Sequence, residues 1–97
     1  MIEKFDISNE MTVVTSSYVT KERLPILEVW HEDDEEGGSL WQFHCGNDDY
    51  SMEEMELVRL DTILKIDETI QSILTLAKNK SARRKAIGMD WIITSSE

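Results

Sequence analysis

Trp41-Gln42-Phe43-His44-Cys45 alternates apolar and polar side chains, and a period of two puts one face of an extended chain against a core and the other toward water. A second β-type run, Ile26 to Glu32, precedes it, and Asp33-Asp34-Glu35-Glu36-Gly37-Gly38 joins the two. The paired glycines supply the positive φ that such a connection uses. A hairpin with arms 26–32 and 40–45 is therefore expected. In its first arm Leu27, Val29 and His31 share a face, while Ile26, Glu28, Trp30 and Glu32 share the other. Trp30 is then either packed on the second face or partly exposed there.

An isolated hairpin is marginal in water, so the rest of the chain must supply further strands and a covering layer. Thr12, Val13, Val14, Thr15, Tyr18, Val19 and Thr20 are β-branched or aromatic and predict a strand over 11–20. Pro25 suits the approach to the next strand rather than its middle. Gly46-Asn47-Asp48-Asp49 is a turn signal, and Ser51 with Glu54 fits a capping box opening a short helical turn over 52–55. Leu57 to Leu60 predicts another strand, whereas 62–66 is open between its continuation and a helical turn.

Asp67 is a good N-cap, and Ile70, Ile73, Leu74 and Ala77 fall at i, i+3, i+4 and i+7. The spacing predicts the main helix at about 68–78, with one face on the sheet. A second short helix is expected over 81–87, ended by Gly88, and a last strand over 90–94. The expected class is α+β: a single domain over 1–97, a mainly antiparallel sheet of four to six strands, one main helix and one or two short helical turns. Residues 1–10 are expected to form a peripheral arm.

Charge narrows the function. No lysine or arginine stands between Arg23 and Arg59, while that stretch holds Glu28, Glu32, Asp33, Asp34, Glu35, Glu36, Asp48, Asp49, Glu53, Glu54 and Glu56. At a net charge of −10 nucleic acid is disfavoured as a ligand, because phosphate binding rests on clustered cations. Lys78, Lys80, Arg83, Arg84 and Lys85 do cluster, but such a run reads as a solvated face. Cys45 is the single cysteine, which excludes an intrachain disulfide and suits a reducing compartment. The start, Met1-Ile2-Glu3-Lys4-Phe5-Asp6, has no export pattern, and no apolar run approaches a membrane span. A cytoplasmic protein with no membrane partner is expected.

His31 and His44 from neighbouring strands, with Asp48 and Asp49, make the best case for a metal-dependent or acid–base enzyme, but two imidazoles fall short of the four ligands of a structural zinc site. Neighbours His44 and Cys45 point to opposite faces of a strand, so they form no nucleophile–base pair. The acidic loops match no calcium-loop spacing. Asp61 and Asp67, near Leu60, Ile63, Leu64 and Ile66, are the candidate acid–base carboxylates, and capping accounts for Asp67. No metal, cofactor or catalytic residue is assigned, and no enzyme is expected.

Aromatic anchors inside a charged rim divide affinity from steering in many interfaces. The expected partner-binding residues are Trp30, Glu32, Asp33, Asp34, Glu35, Glu36, Asp48, Asp49 and Tyr50, forming an uninterrupted anionic surface. Trp41 and Phe43 are expected in the core, with Cys45 buried and His44 exposed. A module whose acidic face only maintains solubility is the structural or regulatory alternative.

Trp41-x-Phe43, Gly46-x-Asp48-Asp49-Tyr50, Leu57 to Leu60, Ile66-Asp67 before Ile70 and Leu74, and Ala82-x-Arg84 together resemble a family of small bacterial domains of unknown function, regarded as candidate immunity proteins of polymorphic toxin systems. The likeness spans about 15–91. Glu68 stands where that family commonly has proline, and Asn79-Lys80-Ser81 replaces a Pro/Gly-type turn. The resemblance implies binding and neutralisation of a toxin domain with a basic surface, and it carries no catalytic residue.

Overall fold

The strands of this protein sort by where their second partner comes from. The computed structural model describes residues 9–33 and 38–95; most of the expected N-terminal arm and the acidic connection 34–37 lie outside the described residues. β1 (Thr12–Ser16), β2 (Glu28–Asp33), β3 (Ser39–His44), β4 (Met55–Arg59), β5 (Lys80–Arg83) and β6 (Ile92–Ser95) form one sheet in the order β4-β1-β3-β2-β5-β6. All neighbours are antiparallel except β1 and β3, which run parallel with Val14 opposite Gln42. The α+β class and the largely antiparallel sheet are as the sequence predicts.

The hairpin pairs Val29 with Phe43 and His31 with Trp41, keeping the expected faces. Those four side chains are buried on one face. Val13, Ala82 and the half-buried Val58 continue that face across β1, β5 and β4. Over it lie α2 (Leu60–Ile66) and a 3₁₀ segment, Glu68–Ile73, which contribute Leu60, Ile63, Ile70 and Ile73, with Leu74 and Leu76 following.

Three local expectations are corrected, and one open segment is assigned. β1 stops at Ser16, and Ser17–Thr20 turns into the short helix α1, which buries Val19; the β propensity of Tyr18 and Thr20 yields to that contact. The open segment 62–66 belongs to α2, which begins directly after β4 because Leu60 and Asp61 donate their backbone N–H groups to Met11 and Asn9 carbonyls. Those acceptors satisfy first-turn donors that a helix otherwise leaves open.

The expected main helix starts where predicted, with the Asp67 carboxylate accepting from Thr69 N–H, but it is a 3₁₀ segment and ends at Ile73. The burial of Ile70, Ile73 and Leu76, with Ala77 exposed, follows a period of three, which is the 3₁₀ repeat. The expected helix over 81–87 is instead strand β5, paired with β2 so that Ala82 lies opposite Val29. Asn79, at φ 64°, turns the chain into it and donates its N–H to His31 O at 2.6 Å.

Arg84, immediately after β5, secures this arrangement. Its side chain is 1% exposed and its guanidinium reaches Asp67 Oδ2 at 2.7 Å, Thr69 Oγ1 at 3.0 Å and the Ile26 carbonyl at 3.0 and 3.1 Å. Trp91 covers it, with the ring centroid 4.2 Å away. One cation thereby ties the start of the 3₁₀ segment, the approach to β2 and the end of β5.

A buried charge left without its partner is costly, so Arg84→Ala is expected to destabilise the fold by ~3–5 kcal/mol in urea unfolding, and Arg84→Lys to recover only part because it lacks the planar fork. Burial alone would raise the Asp67 carboxyl, but hydrogen bonds from Thr69 and Arg84 outweigh it and hold Asp67 below the usual carboxylate range. A depressed folded value means stability present above the unfolded value of roughly 3.9 and lost as pH falls through the folded one. Asp67→Asn is expected to flatten the acid limb of the stability profile; an unchanged acid slope would contradict this assignment.

Candidate functional site

Helical segments cover one face of the sheet; among the described residues the other is largely uncovered. Register builds that open face from one transverse row, Leu57, Val14, Gln42, Trp30, Ser81 and Thr94, each opposite the next across β4-β1-β3-β2-β5-β6. Leu57 is 73% exposed, Trp30 is half-buried, and between them the low Val14 and Gln42 floor a hollow of about 450 Å³. Tyr50, Met52 and Met55 line the hollow as well.

Trp30 stands in a ring cluster. Its centroid lies 5.3 Å from Tyr50 and 5.6 Å from His44, and His44 and Tyr50 meet edge-on at 5.1 Å. The turn after β3 makes this possible: Gly46 takes φ 80° and Asp48 φ 69°, folding Tyr50 back over the sheet. His44, expected to be exposed, is buried beneath these rings. Burial holds its imidazole below the ordinary histidine value, with the Glu28 charge opposing. The neutral ring bonds Gln42 Oε1 through Nε2 at 2.9 Å, and the Gln42 amide donates to Glu32 Oε1 at 3.2 Å. The carboxamide is thus held between a donor and an acceptor.

Glu28 is the buried acid of this face. Its carboxylate accepts from the Tyr50 hydroxyl on one oxygen and from Arg83 Nε and Nη2 on the other, at 2.9 and 2.6 Å. Arg83 is 64% exposed and Glu28 3%, so the cation reaches in from solvent to pair with a buried carboxylate. Burial first, and then the hydrogen bond to Glu28, push the Tyr50 hydroxyl far above its ordinary value.

Among the described residues, the acids of the expected anionic surface fall into separate groups. Asp33, at the far end of β2, is engaged by Lys78 at 3.2 Å and Asn79 at 3.2 Å. Asp48 and Asp49 lie past the opposite end of the hairpin, beside His44, which pairs with Glu28. Five residues of strand, roughly 17 Å, separate the two groups. Asp49 accepts from the Tyr18 hydroxyl and from Ser51 N–H; Asp48 is exposed. Asp34, Glu35 and Glu36 lie outside the described residues. Of the expected partner-binding set, the fold unites Trp30, Tyr50 and Glu32 on the open face, with Asp48 at its margin.

The metal or acid–base grouping is not assembled. His31 lies on the covered face, stacked at 3.9 Å on Trp41 and donating from Nδ1 to Leu76 O at 2.7 Å, whereas His44 lies on the open one. Burial lowers the His31 value. Among the described residues, no three or more His, Cys, Asp and Glu side chains converge as a metal site. Asp61 pairs with Arg59 at 2.8 Å and Asp67 with Arg84. The capping-box serine is not used as such: Ser51 makes no side-chain cap, and the Glu54 carboxylate instead accepts from Ser17 Oγ. Among the described residues, no helix is long and apolar enough to cross a membrane.

Sequence reasoning missed Glu28, Gln42, Arg83 and the apolar wall of Leu57, Met52 and Met55 as site residues, and expected His44 to be exposed. Alternation in β2 and β3 marks Glu28, Gln42 and His44 as sharing Trp30's face. The pairing of Arg83 with Glu28 needs the β2–β5 register, which no local pattern encodes.

The two tyrosines provide an optical test of these hydroxyl–carboxylate contacts. The bond to Asp49, followed by burial, pushes the Tyr18 hydroxyl up to about 12. Tyrosinate absorbance is expected to rise only well above pH 10, the ordinary value, and Asp49→Asn to bring one of the two transitions down toward it. A wild-type titration at the ordinary value would remove both contacts. Comparison of the chain with protein-family models, with curated proteins and with solved structures finds no match.

Proposed function

We propose that this is a cytoplasmic binding protein without catalytic activity, and that it holds a protein partner with a basic surface on the open face of its sheet. The observation that carries this reading is the ring cluster of Trp30, Tyr50 and His44 beside an uncovered apolar hollow. Aromatic anchors at the edge of a hollow are the side chains that dominate binding energy in protein interfaces. The charge of the whole chain, −10, adds long-range attraction for a cationic molecule. The family resemblance makes that molecule a toxin domain and the function its neutralisation.

Charge and apolar contact have separable roles here. The rim acids Glu32 and Asp48 steer encounter, so their loss slows association and lessens its salt dependence. Trp30 and Leu57 retain the partner once it has docked, so their loss speeds dissociation.

Co-expression with the polypeptide encoded beside this gene tests both. A complex is expected whose dissociation constant rises at least tenfold with Leu57→Asp or Trp30→Ala. With Glu32→Lys and Asp48→Lys together, the association rate is expected to fall and the dissociation rate to hold. Capture that is indifferent to all four substitutions would refute the open-face reading.

A further inference from the structure

We infer that the segment received by the open face is an amphipathic α-helix carrying lysine or arginine along its flanks, lying along the strands in the trough between β2 and β4. This rests on the binding reading above and names the partner's chemistry. Three observations lead to it.

The first is width. β2 and β4 are separated by β3 and β1, three strand spacings or roughly 14 Å. Trp30 rises on one side and Leu57, with Met55, on the other, while Val14 and Gln42 form a low floor. An α-helix with side chains is about 10–12 Å across and spans that trough. A single extended chain leaves much of it empty.

The second is hydrogen bonding. The backbone groups of β1 and β3 are already paired within the sheet on both sides, so a segment lying on the face finds no main-chain partners there. An extended segment would bury its own N–H and C=O groups unsatisfied, whereas a helix pairs its own. Strand addition belongs at a sheet edge and would not reach Trp30, three strands in from the β4 edge.

The third is charge. The cations of this face are already committed: Arg83 to Glu28 at 2.6 Å and Arg59 to Asp61 at 2.8 Å. Glu32 makes its bond to the neutral Gln42, and Asp48 is exposed. Negative charge therefore borders the trough on the β2 side. A helix with an apolar ridge and cationic flanks is complementary to this border, and an acidic helix is repelled. The unbranched Met52 and Met55 let the wall adapt to different apolar ridges.

The test uses the full chain and three synthetic, tryptophan-free peptides of about four helical turns: a leucine–lysine sequence with helical spacing, the same composition in strict alternation, and a leucine–glutamate helix. Binding is read by calorimetry, and peptide helicity by circular dichroism. The helically spaced basic peptide is expected to bind at least tenfold more tightly than the alternating one, to gain helicity on binding, and to lose at least tenfold with Leu57→Asp. Because Leu57 is exposed, that variant should keep its fold, confirmed by an unchanged thermal transition. Equal or tighter binding of the alternating peptide, or an unaffected Leu57→Asp variant, overturns the helix while leaving a basic partner in place. Binding of the acidic helix as tight as the basic one overturns the charge argument and the proposed function with it. Failure of all three peptides, with the co-expressed complex still dependent on Trp30, overturns the helix alone.

Discussion

Two adjacent arginines hold the middle of this sheet. Arg83 and Arg84 follow one another at the end of β5 and serve opposite faces: Arg83 neutralises Glu28 on the open side, and Arg84 neutralises Asp67 beneath the helical layer. Each pair joins segments far apart in sequence, β5 to β2 and β5 to the 3₁₀ segment. Both acids are nearly inaccessible to solvent, and removing either cation strands a carboxylate in a weakly polar surrounding. β5 is therefore fastened to β2 on the open face and to the 3₁₀ segment on the other, and β2 carries Trp30.

The consequence is a face on which the large ring is positioned by polar contacts as well as by packing. Glu28 fixes Tyr50, Tyr50 and His44 flank Trp30, and Gln42 links His44 to Glu32. A tryptophan held in this way loses little freedom on binding, which lowers the entropic cost of forming a contact. The opposite wall is made from a different kind of side chain. Leu57, Met52 and Met55 are apolar, partly or largely exposed, and adaptable, so one side of the trough is rigid and the other yields.

Much of the sheet was legible in the chain because alternation is a local signal. Val29, His31, Trp41 and Phe43 take the covered face and Trp30 the other, as period two requires. Helical segments were less legible. Ile70 and Ile73 satisfy both a 3.6-residue and a three-residue repeat; buried Leu74 fits only the former, while buried Leu76 and exposed Ala77 fit the tighter one. Residues 80–83 have ordinary helix formers, yet the unfilled edge of β2 and the two buried acids recruit them as a strand. At the site, Trp30 and Tyr50 were found from residue type and proximity, whereas the acids were grouped by nearness in sequence. A hairpin separates such groups by its own length, so Asp33 and Asp48 end far apart, and the acid closest to the rings is the buried Glu28.

The central claim is that contact with a partner is confined to the uncovered side of the sheet. Backbone amide mapping by NMR of the isotopically labelled chain, with the co-expressed partner added unlabelled, addresses it directly. Shifts concentrated on Val14, Gln42, Trp30 and Leu57 are what the account predicts. Shifts concentrated around Leu24, Ile66 and Ile87, which border the separate hollow on the helical side, with the Trp30 row unmoved, would contradict it.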